Sequence, residues 1–319
     1  MTSPHPSLHE ATILFGDLRG FSSIAASYPP EMVFDLLNRC FVMLTEIAAR
    51  HQGTTDKFIG DAIMVVFSGT PQAPQEDARR AVQCAVDMQI AMDEMNRAPR
   101  RSVAPELYMG IGINTGQVIA GRLGSDIYSA RTVIGEEVNL AARIEAFCLR
   151  GQILISEHTY ELCGDFVQAG KPMEVYVKGR SRGVTLREAR GIPSEGKEVP
   201  RQERRRSPRV QVRLPFSYQV LARALVSQAR AQGTILDIGY HGVLVELEGE
   251  IGLFEEIKFD LELPIIGYRA DDLYGRIVSA KQIEGRGRFG VEFTSLGAES
   301  SRNIHRLVHM LIQGMGSVS

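Results

Sequence analysis

The segment DKFIGDAIMVVF, residues 56–67, places one acidic residue between two apolar runs. Gly60 and Asp61 form a two-residue break, and glycine readily adopts the positive φ that the first central residue of such a hairpin turn requires. The segment therefore predicts a β-hairpin with Asp61 at its tip. Because an unpaired carboxylate is costly in an apolar sheet, Asp61 is either a turn residue facing water or a residue held there for chemistry.

The surrounding sequence alternates between strand-like and helix-like patterns. Residues 11–17 form an apolar run that predicts a buried strand ending at Asp17, and apolar residues recur at helical spacing over 31–50 and 76–97. Further elements are predicted as strands at 107–116, 116–124, 131–135 and 151–157 and as a helix at 136–147. Because hairpins interrupt the alternation, the pattern favours an α+β fold over a doubly wound parallel sheet.

Asp17 and Asp61 are candidate metal ligands. If the hairpin lies beside the first strand, both carboxylates meet at one end of the sheet. Two carboxylates without a thiol or an imidazole suit Mg²⁺ or Mn²⁺, which complete their coordination with water and substrate phosphates. Paired ions would hold the attacking and leaving oxygens of a phosphoryl displacement. Taken one at a time, the two residues are more simply explained by structure, Asp17 as a strand-end cap and Asp61 as a turn residue.

Asn139 and Arg143 are four residues apart on the predicted helix and so share one face. An asparagine can fix a ribose by hydrogen bonding, and the planar fork of an arginine suits charge that develops on a phosphate. The structural alternative is a solvated helix face.

Five motifs occur in order along this half of the chain: LFGDLRGFS, KFIGDAIMVVF, GIGINTGQVIAGRLG, TVIGEEVNLAARIE and VYVKGR. Together they resemble the class III nucleotidyl cyclase catalytic domain, over residues 9–192. The resemblance implies a ferredoxin-like α+β domain that converts a nucleoside triphosphate into a 3′,5′-cyclic nucleotide and pyrophosphate. In that family two catalytic domains share each site. Because this chain carries both sets of site residues, the resemblance implies a homodimer with two equivalent sites.

The resemblance also assigns roles to individual residues. Asp17 and Asp61 match the two metal-binding aspartates, and the backbone carbonyl of Leu18 is a further metal contact in a site that holds two Mg²⁺ or Mn²⁺ ions. The remaining matches are Asn139 for the ribose, Arg143 for the transition state and Lys178 for the terminal phosphates, although Lys178 is also readily explained as an exposed surface lysine.

Lys57 and Thr132 occupy the two base-reading positions of the family. Adenine presents an acceptor at N1 and a donor at its 6-amino group, whereas guanine presents a hydrogen at N1 and an acceptor at O6. A lysine donor beside a hydroxyl acceptor therefore fits adenine. This favours an adenylate cyclase that acts on ATP, with a guanylate cyclase as the alternative.

The sequence changes character near Gly191. Residues 193–203 are rich in Pro, Gly and charge and predict a linker. Beyond them, many short alternating runs predict a small antiparallel β-barrel, and Ile304, Leu307, Val308 and Leu311 form one stripe of a C-terminal helix.

An arginine run opens this second half, in ERRRSPR. By itself it indicates an anion site, a solvated linker or a nonspecific nucleic-acid patch. Arg205 and Arg209 have the spacing RxxxR, and GTILDIGYHGVLVEL follows. This order resembles the PilZ domain, over residues 204–316, in which such arginines bind the phosphates and guanines of cyclic di-GMP.

The PilZ resemblance also extends to a turn with the pattern D/N-x-S-x-x-G, which takes the ligand's base. Here Asp237 and Gly242 match that turn, while Gly239 replaces the serine. The implied assignment is a domain whose binding of cyclic di-GMP regulates the cyclase. The alternative is a barrel that contacts only protein.

The composition of the chain limits where the protein is expected to be located and what it is expected to bind. The formal net charge is -2, so the chain as a whole has no bulk attraction to nucleic acid or anionic lipid, and no apolar run approaches the length of a membrane span. The four cysteines have no CxxC spacing and predict buried thiols rather than disulfides or metal ligands: Cys40, Cys84, Cys148 and Cys163. We therefore expect a cytoplasmic protein without a nucleic-acid or membrane partner.

Overall fold

The computed structural model describes residues 6–69, 73–97, 105–124, 129–175, 177, 183–200, 207–222, 225–226, 230–247, 251–283 and 286–313. The chain divides into two compact units, residues 1–204 and residues 205–319. The N-terminal unit has a hydrophobic core on each face of its sheet, and the C-terminal unit has one of its own.

The N-terminal unit is built from the following elements. Its helices are α1 (Phe21–Ser27), α2 (Pro30–Arg50), α3 (Pro74–Arg97), α4 (Glu136–Ala146) and α5 (Glu157–Cys163). Its strands are β1 (Ser7–Leu18), β2 (Thr54–Ile59), β3 (Ala62–Phe67), β4 (Met109–Gly124), β5 (Ser129–Ile134), β6 (Ile153–Ser156), β7 (Gln168–Ala169), β8 (Met173–Val175), β9 (Val184–Ile192) and β10 (Lys197–Glu198).

The sheet of this unit has a ferredoxin-like centre. Strand β1 pairs antiparallel with β3 on one side and β4 on the other, which gives the order β4-β1-β3-β2. Helix α2 lies in sequence between β1 and β2, and α3 between β3 and β4, so the connectivity is βαββαβ. Strand β6 extends the sheet by pairing parallel to β4, and β9 and β10 follow. The predicted α+β class is confirmed.

Successive residues of β1 point to opposite faces, and each face has its own core. Leu14 belongs to the larger core, which also holds Leu44 of α2 and Val82 of α3. Ile13 belongs to the smaller core, which also holds Ala141 of α4. All four cysteines are free and buried, as predicted for structural thiols.

Strand β4 corrects one prediction. The sequence predicts two strands that meet at Gly116, whereas the structure has one continuous strand that pairs with β1 along the whole of β1. A Cβ on Gly116 would lie 2.6 Å from Cγ of Glu137 in α4. The glycine is therefore explained by the close approach of α4 to the sheet, and not by a turn.

The region around residue 192 also differs from the prediction. Strand β9 was not predicted, because its alternating charged residues resemble a surface segment. Within the predicted linker 193–203, residues Pro193–Glu195 form a 3-10 turn and β10 pairs antiparallel with β9. Nζ of Lys197 lies 2.7 Å from an Asp87 carboxylate oxygen, which ties this segment to α3.

The C-terminal unit is a closed antiparallel barrel with a helix. Its strands are β11 (Arg209–Ala222), β12 (Leu225–Val226), β13 (Ala231–Gly239), β14 (Gly242–Leu247), β15 (Glu256–Leu263), β16 (Tyr268–Ile283) and β17 (Arg286–Ser295), and its helix is α6 (Ala298–Ile312). The order β11-β13-β14-β17-β16-β15 closes because β15 also pairs with β11. Ile304, Leu307 and Val308 of α6 are buried in the core, which confirms the predicted barrel with its C-terminal helix.

Candidate active site

Two carboxylates meet at one end of the N-terminal sheet. Asp17 on β1 pairs with Ala62 on β3, so Asp61, at the β2–β3 turn, is one residue from the register partner of Asp17. Gly60 has φ 62°, as the two-residue turn requires. Burial raises the pKa of the Asp17 carboxyl, and the Asp61 carboxylate raises it further, while Arg19 lowers it. A divalent cation would relieve this repulsion, so the pair fits the hard-oxygen site that Mg²⁺ or Mn²⁺ requires.

Arg19 and Glu145 surround the carboxylate pair and were not predicted. Nη1 of Arg19 lies 3.6 Å from Asp17 Oδ2, and Nη2 of Arg19 donates a hydrogen bond to the carboxyl group of Glu145 at the end of α4. Burial raises the pKa of Glu145 to about 8, although Arg19 opposes the shift. The only sequence signal for Arg19 is its position two residues after Asp17. Leu18 ends β1, and the residue is 3% exposed.

Lys57 and Thr132 are brought together through a third residue, Asp56. The Thr132 hydroxyl donates a hydrogen bond of 2.8 Å to Asp56 Oδ2, and the Lys57 ammonium lies 3.2 Å from that same oxygen. The Asp56 side chain is 6% exposed, whereas the Lys57 side chain is 44% exposed. The two predicted base-reading residues therefore share one carboxylate oxygen.

Asn139 and Arg143 lie one turn apart on α4, which packs unusually close to β4. A Cβ on Gly112 would lie 2.3 Å from the backbone nitrogen of Glu145. The side chain of Asn139 is exposed and that of Arg143 is half-buried. The glycines of β4 thus allow α4 to lie close to the sheet, and this distance fixes the positions of Asn139 and Arg143.

The predicted residues fall into separate groups within one chain. Among the described residues, no hydrogen bond or ion pair joins Asp17 or Asp61 to Lys57 or Thr132. A groove of about 760 Å³ lies elsewhere on the unit, and its lining includes Asn114, Glu137 and His158 but none of the predicted residues. Lys178 lies outside the described residues.

The C-terminal unit brings together part of its predicted site. Nη1 of Arg209 lies 2.8 Å from Asp237 Oδ1, and that same oxygen accepts a hydrogen bond from the backbone of Leu244. Arg209 is also the register partner of Gly239. Arg205 lies outside the described residues.

Space limits the turn that contains Gly239 and Gly242. A Cβ on Gly239 would lie 2.7 Å from Cγ of Arg209 and 2.9 Å from the carbonyl oxygen of Pro208. A Cβ on Gly242 would lie 2.2 Å from the carbonyl oxygen of Val291. Gly242 is thus required by strand packing, and the region a serine at position 239 would occupy is filled by Arg209.

Comparison with known proteins agrees with this architecture. The family described as "Adenylate and Guanylate cyclase catalytic domain" matches residues 4–187, and the PilZ domain family matches residues 203–310. The chain belongs to the adenylate and guanylate cyclase family, with a PilZ domain after its catalytic domain.

Named relatives include cyclases of both base specificities. Adenylate cyclase 1 of Rhizobium meliloti (strain 1021) is 30% identical over 185 residues, which cover 57% of this chain and 28% of the relative. The crystal structure of the guanylyl cyclase Cya2 is 39% identical with a TM-score of 0.57, and the match covers 60% of this chain and 98% of that one. The adenylyl cyclase CyaB from P. aeruginosa is 33% identical with a TM-score of 0.54, over 64% of this chain and 99% of that one.

The curated relatives are longer than the matched region. The chain spans 28% of the Rhizobium protein and 9% of the terminal-differentiation-specific adenylate cyclase of Dictyostelium discoideum. Among the described helices of this chain, none is both long and apolar enough to cross a membrane.

Proposed function

We propose that the protein is an adenylate cyclase, which converts ATP into 3′,5′-cyclic AMP and pyrophosphate. The observation that carries the proposal is the meeting of Asp17 and Asp61 at one sheet end, on a domain that also holds Lys57 beside Thr132. The carboxylates give the site its affinity for divalent cations. Lys57 and Thr132 give it a donor and an acceptor for the base.

The reaction is an intramolecular displacement in which the ribose 3′-hydroxyl attacks the α-phosphate and pyrophosphate leaves. Asp17, Asp61 and the carbonyl of Leu18 would hold two Mg²⁺ or Mn²⁺ ions, which supply charge neutralisation and lower the pKa of the attacking hydroxyl. Asn139 orients the ribose and Arg143 neutralises charge on the α-phosphate in the transition state. Lys178 binds the terminal phosphates. Catalysis by these residues is positioning and electrostatic stabilisation.

The active unit in this proposal is a homodimer. The carboxylate pair and the pair Lys57 and Thr132 form separate polar clusters in the described part of one chain, and because each copy carries both clusters, two copies can complement each other. Large apolar side chains exposed near the β2–β3 hairpin and along β4 and β5 offer a surface for that second copy: Phe58, Ile59, Ile119, Leu123 and Ile134.

A direct assay tests the base specificity. The purified protein is incubated with ATP or GTP, each with Mg²⁺ and with Mn²⁺, and cyclic nucleotides are quantified. The proposal predicts a higher kcat/KM for ATP with either metal. A higher kcat/KM for GTP would show that the protein is a guanylate cyclase. The similarity to the guanylyl cyclase Cya2 supports this alternative.

We further propose that cyclic di-GMP binds the PilZ domain and regulates the cyclase. Arg209 and Asp237 face each other beside the β13–β14 turn, and Arg205 completes the RxxxR pair. Arginine combines a phosphate-binding fork with a planar face that stacks on a base. The absence of a side-chain hydroxyl at Gly239 removes one contact, worth about 1 kcal/mol, from the expected binding site.

Titration calorimetry with cyclic di-GMP tests this second proposal. Binding should be lost in Arg209→Ala, and saturating ligand should change the rate of cyclic AMP formation by the wild type. Arg213→Ala, at an exposed position of the same strand, is the matched control. Absence of binding heat together with an unshifted melting temperature would instead favour a PilZ domain that contacts protein, which the filled space at Gly239 supports.

A further inference from the structure

Asp56 occupies an irregular position in β2. Thr55 pairs with Val65 of β3 and Lys57 pairs with the next residue, Met64, so Asp56 is the extra residue of a β-bulge. A bulge re-aims the side chains around it. Here it turns the Asp56 carboxylate toward β5, where it is almost completely buried against Thr132.

The hydrogen bond between these residues fixes the direction of one proton. A carboxylate can only accept hydrogen bonds, and Asp56 Oδ2 lies 3.2 Å from the Lys57 ammonium, which can only donate them. The Thr132 hydroxyl donates its single hydrogen to Asp56 at 2.8 Å, while the only other acceptor recorded for it in the described part of the chain, the Val133 carbonyl, lies at 3.5 Å. Only the lone pairs of Thr132 remain to meet a ligand, so this hydroxyl is presented as an acceptor.

Because its hydrogen points to Asp56, the Thr132 hydroxyl can only accept a hydrogen bond from the base, and this determines which purine it favours. The 6-amino group of adenine donates to a lone pair, whereas O6 of guanine is itself an acceptor and meets the same lone pair unfavourably. A threonine that is free to rotate would serve either base, because its hydroxyl can donate or accept. The preference therefore arises from the partner of the hydroxyl as much as from the hydroxyl itself.

We propose that Asp56 is a positioning residue that sets base preference, because its carboxylate holds the Thr132 hydroxyl as an obligatory acceptor. This inference rests on the proposed action on ATP and names the device that produces it. Asp56 itself does not touch the base in this account. A competing account is that Asp56 matters only because it anchors Lys57.

A double-mutant cycle separates the two accounts. The ratio of kcat/KM for ATP to kcat/KM for GTP is measured in the wild type, Asp56→Leu, Thr132→Val and the double variant. We expect the ratio to fall about tenfold in each single variant, as for the loss of one oriented hydrogen bond, and to fall no further in the double variant. Asp56→Leu should also raise the rate with GTP, because the released hydroxyl can then donate to O6.

Two further variants control for structural effects. Asp56→Asn keeps an oxygen that can accept from Thr132, so it should retain most of the preference that Asp56→Leu loses. Thr54→Val, at an exposed position of the same strand, should leave the ratio unchanged. Circular dichroism and gel filtration establish that each variant folds and assembles, and Asp56→Ala replaces Asp56→Leu if the latter does not.

The outcomes distinguish this inference from the proposed function. If the wild type prefers ATP but Asp56→Leu keeps that preference, or if the two single effects add in the double variant, the proposal for Asp56 is overturned while the adenylate cyclase assignment stands. If the wild type prefers GTP, both are overturned, because a hydroxyl fixed as an acceptor disfavours guanine.

Discussion

At the level of single residues, the candidate site is defined by two carboxylates, Asp17 and Asp61, that repel each other when no cation is bound. Burial, together with the Asp61 charge, raises the pKa of Asp17. Such a pair is costly for folding and useful for cation binding, which is the compromise expected of a site that evolved for chemistry rather than stability.

Asp61→Asn tests this compromise. The substitution removes one negative charge, so in EDTA the melting temperature should stay the same or rise. Mn²⁺ should stabilise the wild type, by mass action on the folded state, and should fail to stabilise the variant. Cyclase activity should fall by at least about a hundredfold. Asp35→Asn, at an exposed position on α2, should behave like the wild type in all three measurements. Equal stabilisation of Asp61→Asn by Mn²⁺ would remove Asp61 from the metal site.

The sequence allowed some of this site to be predicted. Asp17 and Asp61 could be placed because one ends an apolar run and the other tips a glycine turn, so local pattern positions both. Asp56 could not, because a bulge leaves no mark on the alternation of β2 and the partner Thr132 is 76 residues away. Arg19 and Glu145 likewise meet only through tertiary packing.

At the scale of elements, the packing of α4 on β4 decides where Asn139 and Arg143 lie. Glycine is a strong turn signal in sequence, and for that reason the sequence predicts two strands where the structure has one. Periodicity identified the helices α2, α3 and α4 correctly, because their apolar stripes are local. The purpose of a glycine in a strand depends on what packs against it, which no local pattern records.

Gly112→Ala tests this packing. The added methyl group would meet the backbone of Glu145, which cannot rotate away, so we expect a loss of about 1–3 kcal/mol in stability. Activity should fall as well, because α4, which carries Asn139 and Arg143, must move away from the sheet. Gly121→Ala on the same strand is the control, since its nearest neighbour would lie 3.6 Å away, and it should melt within about 2 °C of the wild type. Similar melting temperatures for both variants would refute this explanation of the glycines.

The segment after β9 gives a pH-dependent prediction. Burial acts to raise the pKa of Asp87, but hydrogen bonds from Lys197 and His51 outweigh it, and the net pKa is lowered. A lowered pKa contributes stability above the unfolded value of about 3.9, and that contribution is lost as pH falls through the folded pKa.

Asp87→Asn should therefore destabilise the protein by about 1 kcal/mol at pH 7. The difference from the wild type should shrink as the pH approaches 3, because the wild-type carboxyl then becomes protonated. Thermal melting of both full-length chains at several pH values measures this difference in stability. A difference that is constant with pH would show that packing, and not the charge of Asp87, ties β10 to α3.

At the level of the whole molecule, the chain joins a cyclase catalytic domain with a PilZ domain. The barrel could be predicted from its short alternating strands. The proposed binding of cyclic di-GMP depends on finer features: the ion pair of Arg209 with Asp237, and the filled space at Gly239. Cyclic di-GMP would have to replace Asp237 as the partner of Arg209. Binding would then exchange one ion pair, between Arg209 and a carboxylate, for another between Arg209 and a phosphate.

In the proposed enzyme, two copies of the chain complete one site, with the carboxylate pair from one copy and Arg143 from the other. A mixture of Asp61→Ala with Arg143→Ala tests this sharing of the site. Each variant alone should make almost no cyclic AMP, while a mixture shown to contain heterodimers should recover up to about a quarter of wild-type activity, since half of the chains pair productively and one of two sites is then intact. A mixture with proven heterodimers and no recovered activity would contradict the claim.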